Sequence, residues 1–441
     1  MTVLEPAASA AESSPTVRST AWGAVLLLAA ILFGGAVMRT VFGPLQEAAK
    51  HDMNLSDFSI SLVQGLATGA PVAIASIPLA WVIDHGRRVR LLTLLLLTCV
   101  VGTLWTAFAG GLVTLFIARM LSALGATCAI AVIISLVADM CAPERRGRAI
   151  VVLGLGTYAG AAAAFALGAA LFAQLGAHPI PALHGMSPWR ETHLLIGLAG
   201  ALLLFPLFLL KEPGRHEVEV KDAAFGPTMR ALLAKRAFLL PLFVGQIGVT
   251  MADTAAGIWA TPVLIRSYHL QLSQFAGWVG GIIFIGGVLG SVLGGFGADF
   301  GHKSGRRGGL LLTAVISTAI GIPAAIFPIM PTVPGFAAMF FLLALSGTIT
   351  SVVATTAIAV LIPNEERGAC LAAFGVINSI IGASLAPTIV TFGSWAMGGE
   401  KHLAASLAVT GVVTALISMV GYIFAMRNAP LSATEHGHFP V

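Results

Sequence analysis

The sequence predicts an all-α membrane protein of twelve transmembrane helices, arranged as two six-helix halves with both termini in the cytoplasm. Three observations predict it: an extreme apolar composition, twelve bilayer-length apolar runs, and basic residues concentrated in alternate loops. Of 441 residues, 57% are hydrophobic and only 10% charged, and mean hydropathy is +0.93. Ordinary globular chains carry about 25% charged residues. So little polar surface excludes a soluble enzyme, a nucleic-acid binder, a secreted disulfide scaffold and a disordered chain. The cysteines Cys99, Cys128, Cys141 and Cys370 lie far apart and form no metal-binding spacing. No cofactor, metal or nucleic-acid partner is expected.

A spanning helix needs about 20 apolar residues. Such runs fall at roughly 21–47, 58–83, 91–110, 112–139, 149–173 and 192–210, then at 237–265, 275–299, 309–329, 335–362, 369–396 and 402–426. The layout is therefore a disordered polar tail over 1–19, a six-helix bundle over 20–210, a cytoplasmic linker over 211–236, a second bundle over 237–427 and a tail over 428–441. Residues 222–236 are expected to form an amphipathic helix on the inner leaflet, with Phe225, Met229 and Leu232 on one side. With the N-terminus inside, 18 of the 24 basic residues fall on the inner side. Only Lys50, Arg190, Arg266 and Lys401 fall outside, and Arg39 and Arg119 lie within spans. That bias fixes the expected orientation. The location expected is a bacterial inner membrane, and the chain is expected to work as a monomer among membrane lipids.

The halves echo one another. Asp84-His85-Gly86-Arg87-Arg88 follows span 2, and Asp299 with Gly305-Arg306-Arg307 follows span 8. The arginine pairs stand 219 residues apart. Pro143-Glu144-Arg145-Arg146-Gly147 follows span 4, and Pro363-Asn364-Glu365-Glu366-Arg367-Gly368 follows span 10, an offset of 221. Duplicated halves of this kind are a transporter pattern. On these features the chain resembles the major facilitator superfamily. Within it, Met38-Arg39, Arg119, Gly257-Ile258-Trp259-Ala260-Thr261-Pro262 through Arg266, and Gly280, Gly287, Gly290 and Gly294 are similar to the Spinster-type, sphingolipid-linked branch. The acids that this branch places beside the span-1 and span-4 arginines are absent: the positions read Met38 and Gly125-Ala126-Thr127.

The resemblance implies a secondary transporter working by alternating access, with spans 1, 4, 7 and 10 lining a central cavity. The expected substrate is an amphiphilic organic anion, lysolipid- or sphingolipid-like; a small organic acid such as an aromatic carboxylate is the alternative, and a non-transporting sensor the remaining one. No catalytic constellation or P-loop is present, so an enzyme is not expected. Charges inside a span are costly and mark function. Counting about 1.5 Å per residue, Arg39 lies about 12 Å deep, Arg119 about 10 Å and Asp253 about 18 Å from the outer ends of their spans. Two guanidiniums at similar depth suit a carboxylate or phosphate clamp. The competing reading makes each a partner for backbone carbonyls at a helix kink.

Asp253, the one deep acid, is expected to pair with Arg39 or Arg119 when the outer gate closes and to couple protons to gating. Its alternative is a bond to Thr250 or Gln246 on the same helix. Thr348 and Ser351 on span 10, Gln64 on span 2, Tyr158 on span 5 and Asn378 on span 11 complete the candidate substrate set. Interhelical hydrogen bonds are the competing role for these. Asp84, Arg87, Arg88, Asp139, Arg146, Asp299, Arg306 and Arg307 are expected to form a cytoplasmic latch. Their alternative is a topology signal alone.

Overall fold

The computed structural model describes residues 22–214 and 225–430. The tail expected over 1–19, residues 431–441 of the second tail, and residues 215–224 of the linker lie outside the described residues. All regular structure among the described residues is helical. Among the described residues, twelve helices are long and apolar enough to cross a membrane. They are spans 1–12: Trp22–Asp52, Asp57–Ser76, Arg88–Ala107, Leu112–Met140, Pro143–Ala177, Pro188–Leu207, Arg236–Arg266, Leu272–Lys303, Gly309–Ile329, Val333–Leu361, Asn364–Ala396 and Glu400–Asn428. The helix of span 2 continues to His85. Only helices and closed barrels satisfy every backbone group without water, and apolar runs of about 20 residues select helices. An even number of crossings puts Trp22 and Asn428 at one end, the terminal end. The opposite end is the loop end.

Several helices outrun their apolar runs, so latch residues expected in loops stand on helices: Asp84 on span 2, Arg146 on span 5 and Asp299 on span 8. Glycines set the spacing. A Cβ on Gly125 of span 4 would collide with the Leu95 carbonyl and Cys99 backbone of span 3. Gly156 and Gly160 press span 5 onto the Ala29 and Phe33 carbonyls of span 1. Across the halves, Gly280 meets Ala162, Gly287 meets the Tyr158 ring, and Gly65 and Gly69 meet Ser384. Small residues let backbones approach where lipid supplies no hydrophobic drive between helices.

The internal repeat persists in three dimensions. Arg146 Nε donates to the Cys141 carbonyl at 3.5 Å, and Arg367 Nη2 to the Ile362 carbonyl at 3.3 Å, five residues back in each half. Arg88 Nη2 reaches the Pro213 carbonyl beyond span 6, and Arg307 Nε the Ala429 carbonyl beyond span 12.

The halves are not joined equally along their length. One hydrophobic core runs through the first half and continues into the second through Ala252–Leu264, Phe336 and Leu343, the part nearer the loop end. The terminal end of the second half has its own core around Leu242, Ala354, Ile358 and Tyr422. The linker helix, Phe225–Ala234, belongs to this second core. Its Leu232, expected to face lipid, is buried there, and Lys235 anchors the helix end to Glu366.

If the glycines set helix spacing, Gly125→Leu should destabilise the purified protein by about 1–3 kcal/mol through overpacking. Gly154→Leu, where a Cβ meets nothing within 4 Å, should not. Thermal melting in detergent compares the two directly.

Candidate functional site

Span 1 breaks at Val41, between helices Trp22–Thr40 and Phe42–Asp52. Arg119 fills the break from span 4. Its Nη2 donates to the Arg39 carbonyl at 2.6 Å, and its guanidinium lies 5.0 Å from the Phe42 ring centre. The side chain is 2% exposed, and its Nε and Nη1 have no partner. Arg119 therefore holds the kink of span 1 through the backbone of Arg39. Of the two arms of the expected clamp, Arg119 is thus engaged with backbone through Nη2. The Arg39 side chain is half-buried and makes no hydrogen bond or ion pair with any described residue.

Asp253 also stands apart. It forms no ion pair with Arg39 or Arg119 and no hydrogen bond with Gln246 or Thr250. Its carboxylate lies against Gly347 of span 10, on the border of a cavity of about 170 Å³ that Tyr158 and Thr348 also line. Depth along a helix suggested an arginine partner; the angular position of Asp253 turns it toward spans 8 and 10 instead.

The remaining polar candidates separate into two networks. Gln246 of span 7 donates to Ser351 Oγ at 2.8 Å and to Thr250 Oγ1 at 3.3 Å, and accepts from the Tyr422 hydroxyl at 2.6 Å. Thr250 in turn donates to Asn378 Oδ1 at 3.2 Å. Ser351 and Asn378 thus bind their own helices together. Asn378 opens a π-helical turn, Asn378–Ala383, in span 11, and Gln64 sits within another, Leu62–Leu66, in span 2. π-turns release side chains from the regular helical register and often mark functional positions. Gln64 donates to Gln46 Oε1 at 3.2 Å, and Gln46 donates to the Ile258 carbonyl of span 7 at 2.5 Å. That chain of bonds crosses between the halves.

A larger charged assembly closes the loop end. Arg266, at the end of span 7, contacts Glu47 through Nε at 2.9 Å and Nη2 at 2.6 Å. It contacts both Asp57 oxygens at 2.7 Å. Lys50 contacts Asp57 at 2.6 Å and also pairs with Glu400. Glu400 accepts the Asp57 backbone N–H at 2.9 Å. Glu47, Lys50 and Asp57 come from the first half, Arg266 and Glu400 from the second. The reading from sequence took Lys50 only as an outer-side basic residue and Arg266 as that and as the end of the Spinster-like stretch, and it missed the acids. Their signal was local: Glu47 and Asp57 flank Lys50 around the short turn between spans 1 and 2.

At the terminal end, Arg88 pairs with Asp139 and reaches Glu212 Oε1 at 3.3 Å. Glu212 also accepts the backbone N–H groups of Arg88 and Val89, at 3.1 and 2.9 Å, capping span 3 with an anion. Asp84 and Arg87 are exposed. In the second half, Asp299 and Arg306 are exposed, and Arg307 holds the Ala429 carbonyl rather than Asp299. The second latch is therefore not assembled in this conformation. Its physical reason is composition: at the repeat offset of 221, the place of Asp139 is taken by apolar Val360.

Arg119→Ala should lower thermal stability by about 1–3 kcal/mol, the cost of leaving the buried Arg39 carbonyl unpaired. A melting temperature matching wild type would show that the kink needs no such support.

The Major Facilitator Superfamily profile matches residues 26–387. An MFS-type efflux pump of Mycolicibacterium smegmatis is 26% identical over 381 residues, covering 84% of this chain and 83% of that relative. A bacterial homologue of the human lysosomal transporter Spinster, inward-facing and unoccupied, shares the fold with a TM-score of 0.79. That match covers 93% of this chain and 97% of the other at 21% identity. A Spinster homologue in an inward-facing, occupied conformation gives 0.74 at 20% identity, with the same coverage of both chains. A profile match over most of the chain, on a fold of two six-helix halves, shows that the chain belongs to the Major Facilitator Superfamily of multi-pass membrane transporters.

Proposed function

We propose that this transporter carries an amphiphilic organic anion, lysolipid- or sphingolipid-like, across a bacterial inner membrane by alternating access. The observation that carries the reading is Arg39. Its guanidinium is half-buried midway along a membrane span with no hydrogen bond or ion pair among the described residues, although a permanent charge there is expensive to leave uncompensated. An anionic group meets that need, and the planar guanidinium suits phosphate or carboxylate. The mycobacterial efflux relative supports export as the direction.

The lysine and arginine bias supports placing the terminal end in the cytoplasm. In that orientation the conformation is inward-facing, with the Arg266 assembly as the closed outer gate and Arg88 with Asp139 bracing the inner end of the first half. Outward opening must separate Arg266 from Glu47 and Asp57, and Lys50 from Glu400. Closing the inner end would bring Asp299, Arg306 and Arg307 toward the first half. Asp253 is the proposed proton-handling residue, acting without an arginine partner.

Two experiments test this reading. In proteoliposomes, Arg39→Ala should weaken the apparent affinity for a fluorescent acyl phosphate by about 10–100-fold, because hydrogen bonds to a charged group contribute about 1.5–3 kcal/mol. Flux indifferent to the change would remove the anion site. For the gate, Arg266→Ala should lengthen the distance between spin labels at His51 and Met397, one in each half at the loop end. An unchanged distance distribution would mean that the ion assembly does not hold the gate.

A further inference from the structure

The anion reading leaves Asp253 without a ligand. Its carboxylate borders two adjoining hollows. The larger, about 170 Å³, is walled by Tyr158 of span 5, Ile283 of span 8, and Phe340, Leu343 and Thr348 of span 10. It opens beside Gly257, an exposed position where a Cβ would meet nothing within 4 Å. The smaller, about 10 Å³, lies against Thr318 of span 9, Ser346 of span 10 and Ala415 of span 12, too small for more than a single water. Among the described residues, Tyr158 is the only other titratable side chain lining either hollow. Spans 8, 9, 10 and 12 contribute only uncharged residues to them, and no basic group lines either hollow among the described residues.

We infer that the larger hollow is a binding site for an organic ammonium group, which competes with a proton for Asp253. A carboxylate among apolar walls without a partner is unfavourable when ionised. Either a proton or a cation relieves it, and the two exclude one another: the protonated acid no longer attracts a cation. The lining selects the kind of cation. A bare metal ion of the calcium type needs six to eight oxygen ligands. The hollow offers the Asp253 carboxylate and the Tyr158 and Thr348 hydroxyls, and the Thr348 hydroxyl already donates to the Ala344 carbonyl. The Tyr158 and Phe340 rings among its walls are instead the kind of group that suits an ammonium. Drug-sized pockets hold about 300–1,000 Å³. The hollow therefore takes a head group, while the rest of the molecule leaves past Gly257. Uptake of the ammonium expels the proton, which joins ligand loading to proton release. The inference rests on the alternating-access reading for its transport consequence but not for binding itself.

The test uses the full-length protein in nanodiscs and titration calorimetry with hexyltrimethylammonium, hexylphosphocholine and hexyl phosphate. Each is run at two pH values and in two buffers of different ionisation enthalpy, so that proton release is counted. The expected result is that hexyltrimethylammonium binds more weakly at the lower pH and releases protons on binding. Asp253→Asn should lose at least about tenfold in affinity together with the proton release, as expected when an ion pair worth about 1.4 kcal/mol or more is removed. Asp253→Glu should retain both, and melting temperatures report whether each variant is folded. Binding that is equal in folded Asp253→Asn, or that shows neither pH dependence nor proton release, would overturn the assignment. Tighter binding of hexylphosphocholine, with the gain lost in Arg39→Ala, would place both charges on one ligand. Binding no tighter than the simple ammonium would make it a separate organic cation. Acyl phosphate flux in parallel liposomes keeps the two proposals distinct. Flux without ammonium binding sinks only the Asp253 site; ammonium binding without flux sinks only the carrier reading.

Discussion

One guanidinium is the centre of the charge assembly that joins the two halves at the loop end. Arg266 enters from span 7 and is gripped by two carboxylates of the first half, Glu47 and Asp57. The cation is needed because Asp57 is only 3% exposed. If Arg266 withdrew while the loop end stayed dry, Asp57 would keep only Lys50 as a partner. Breaking one member out of a buried charge set is strongly unfavourable, whereas exchanging it for water is not. If this end opens as proposed, the halves would separate only as water enters, which couples opening to hydration. The shared core at the loop end and the bond from Gln46 to the Ile258 carbonyl depend on the same closure.

Charged residues in the spans sort by whether the protein answers them. Arg88, Arg190 and Arg266 meet carboxylates, and Arg119 meets a backbone carbonyl and an aromatic face. Those four shape the helices that carry them: Arg190, for example, also holds the Ala107 and Ala109 carbonyls at the end of span 3. Glu191, at the loop end of span 6, is 1% exposed and leaves Oε2 without a partner among the described residues. Deeper in the spans, Arg39 and Asp253 receive no such answer among the described residues, and they stand in different halves, on the corresponding spans 1 and 7. In a chain with only 10% charged residues, such deep uncompensated charges are costly to folding. On the function proposed above, a ligand or a proton that visits each would offset that cost.

The spans, their pairing into halves and the repeat were legible in the sequence because each is a property along the chain: apolar length, basic bias and motif offset. Side-chain partners were not, and the reason is geometric. Counting residues gives depth in the membrane but not direction around the helix axis. Arg39, Arg119 and Asp253 were correctly read as lying within spans, yet Arg119 points into the kink of span 1 and Asp253 toward Gly347. The gate escaped notice for a different reason. Asp57 and Glu400 are separated by 343 residues, and each sits in a short polar turn that alone resembles any span end. Only the fold brings them to Lys50 and Arg266.

The repeat also shows where the halves have diverged. Arg88 and Arg307 occupy equivalent places and both reach carbonyls just beyond the last span of their half. Arg88 has in addition Asp139 and Glu212, so the first half is braced by charge at its terminal end. The second half has Val360 where Asp139 would be, and it relies on Lys235 and Glu366 to hold the linker helix instead. The second half keeps Asp299 and Arg306 exposed. On the alternating-access reading proposed above, those groups are what the terminal end offers for new charge pairs when it shuts, in exchange for the pairs of Arg266 with Glu47 and Asp57 at the other end.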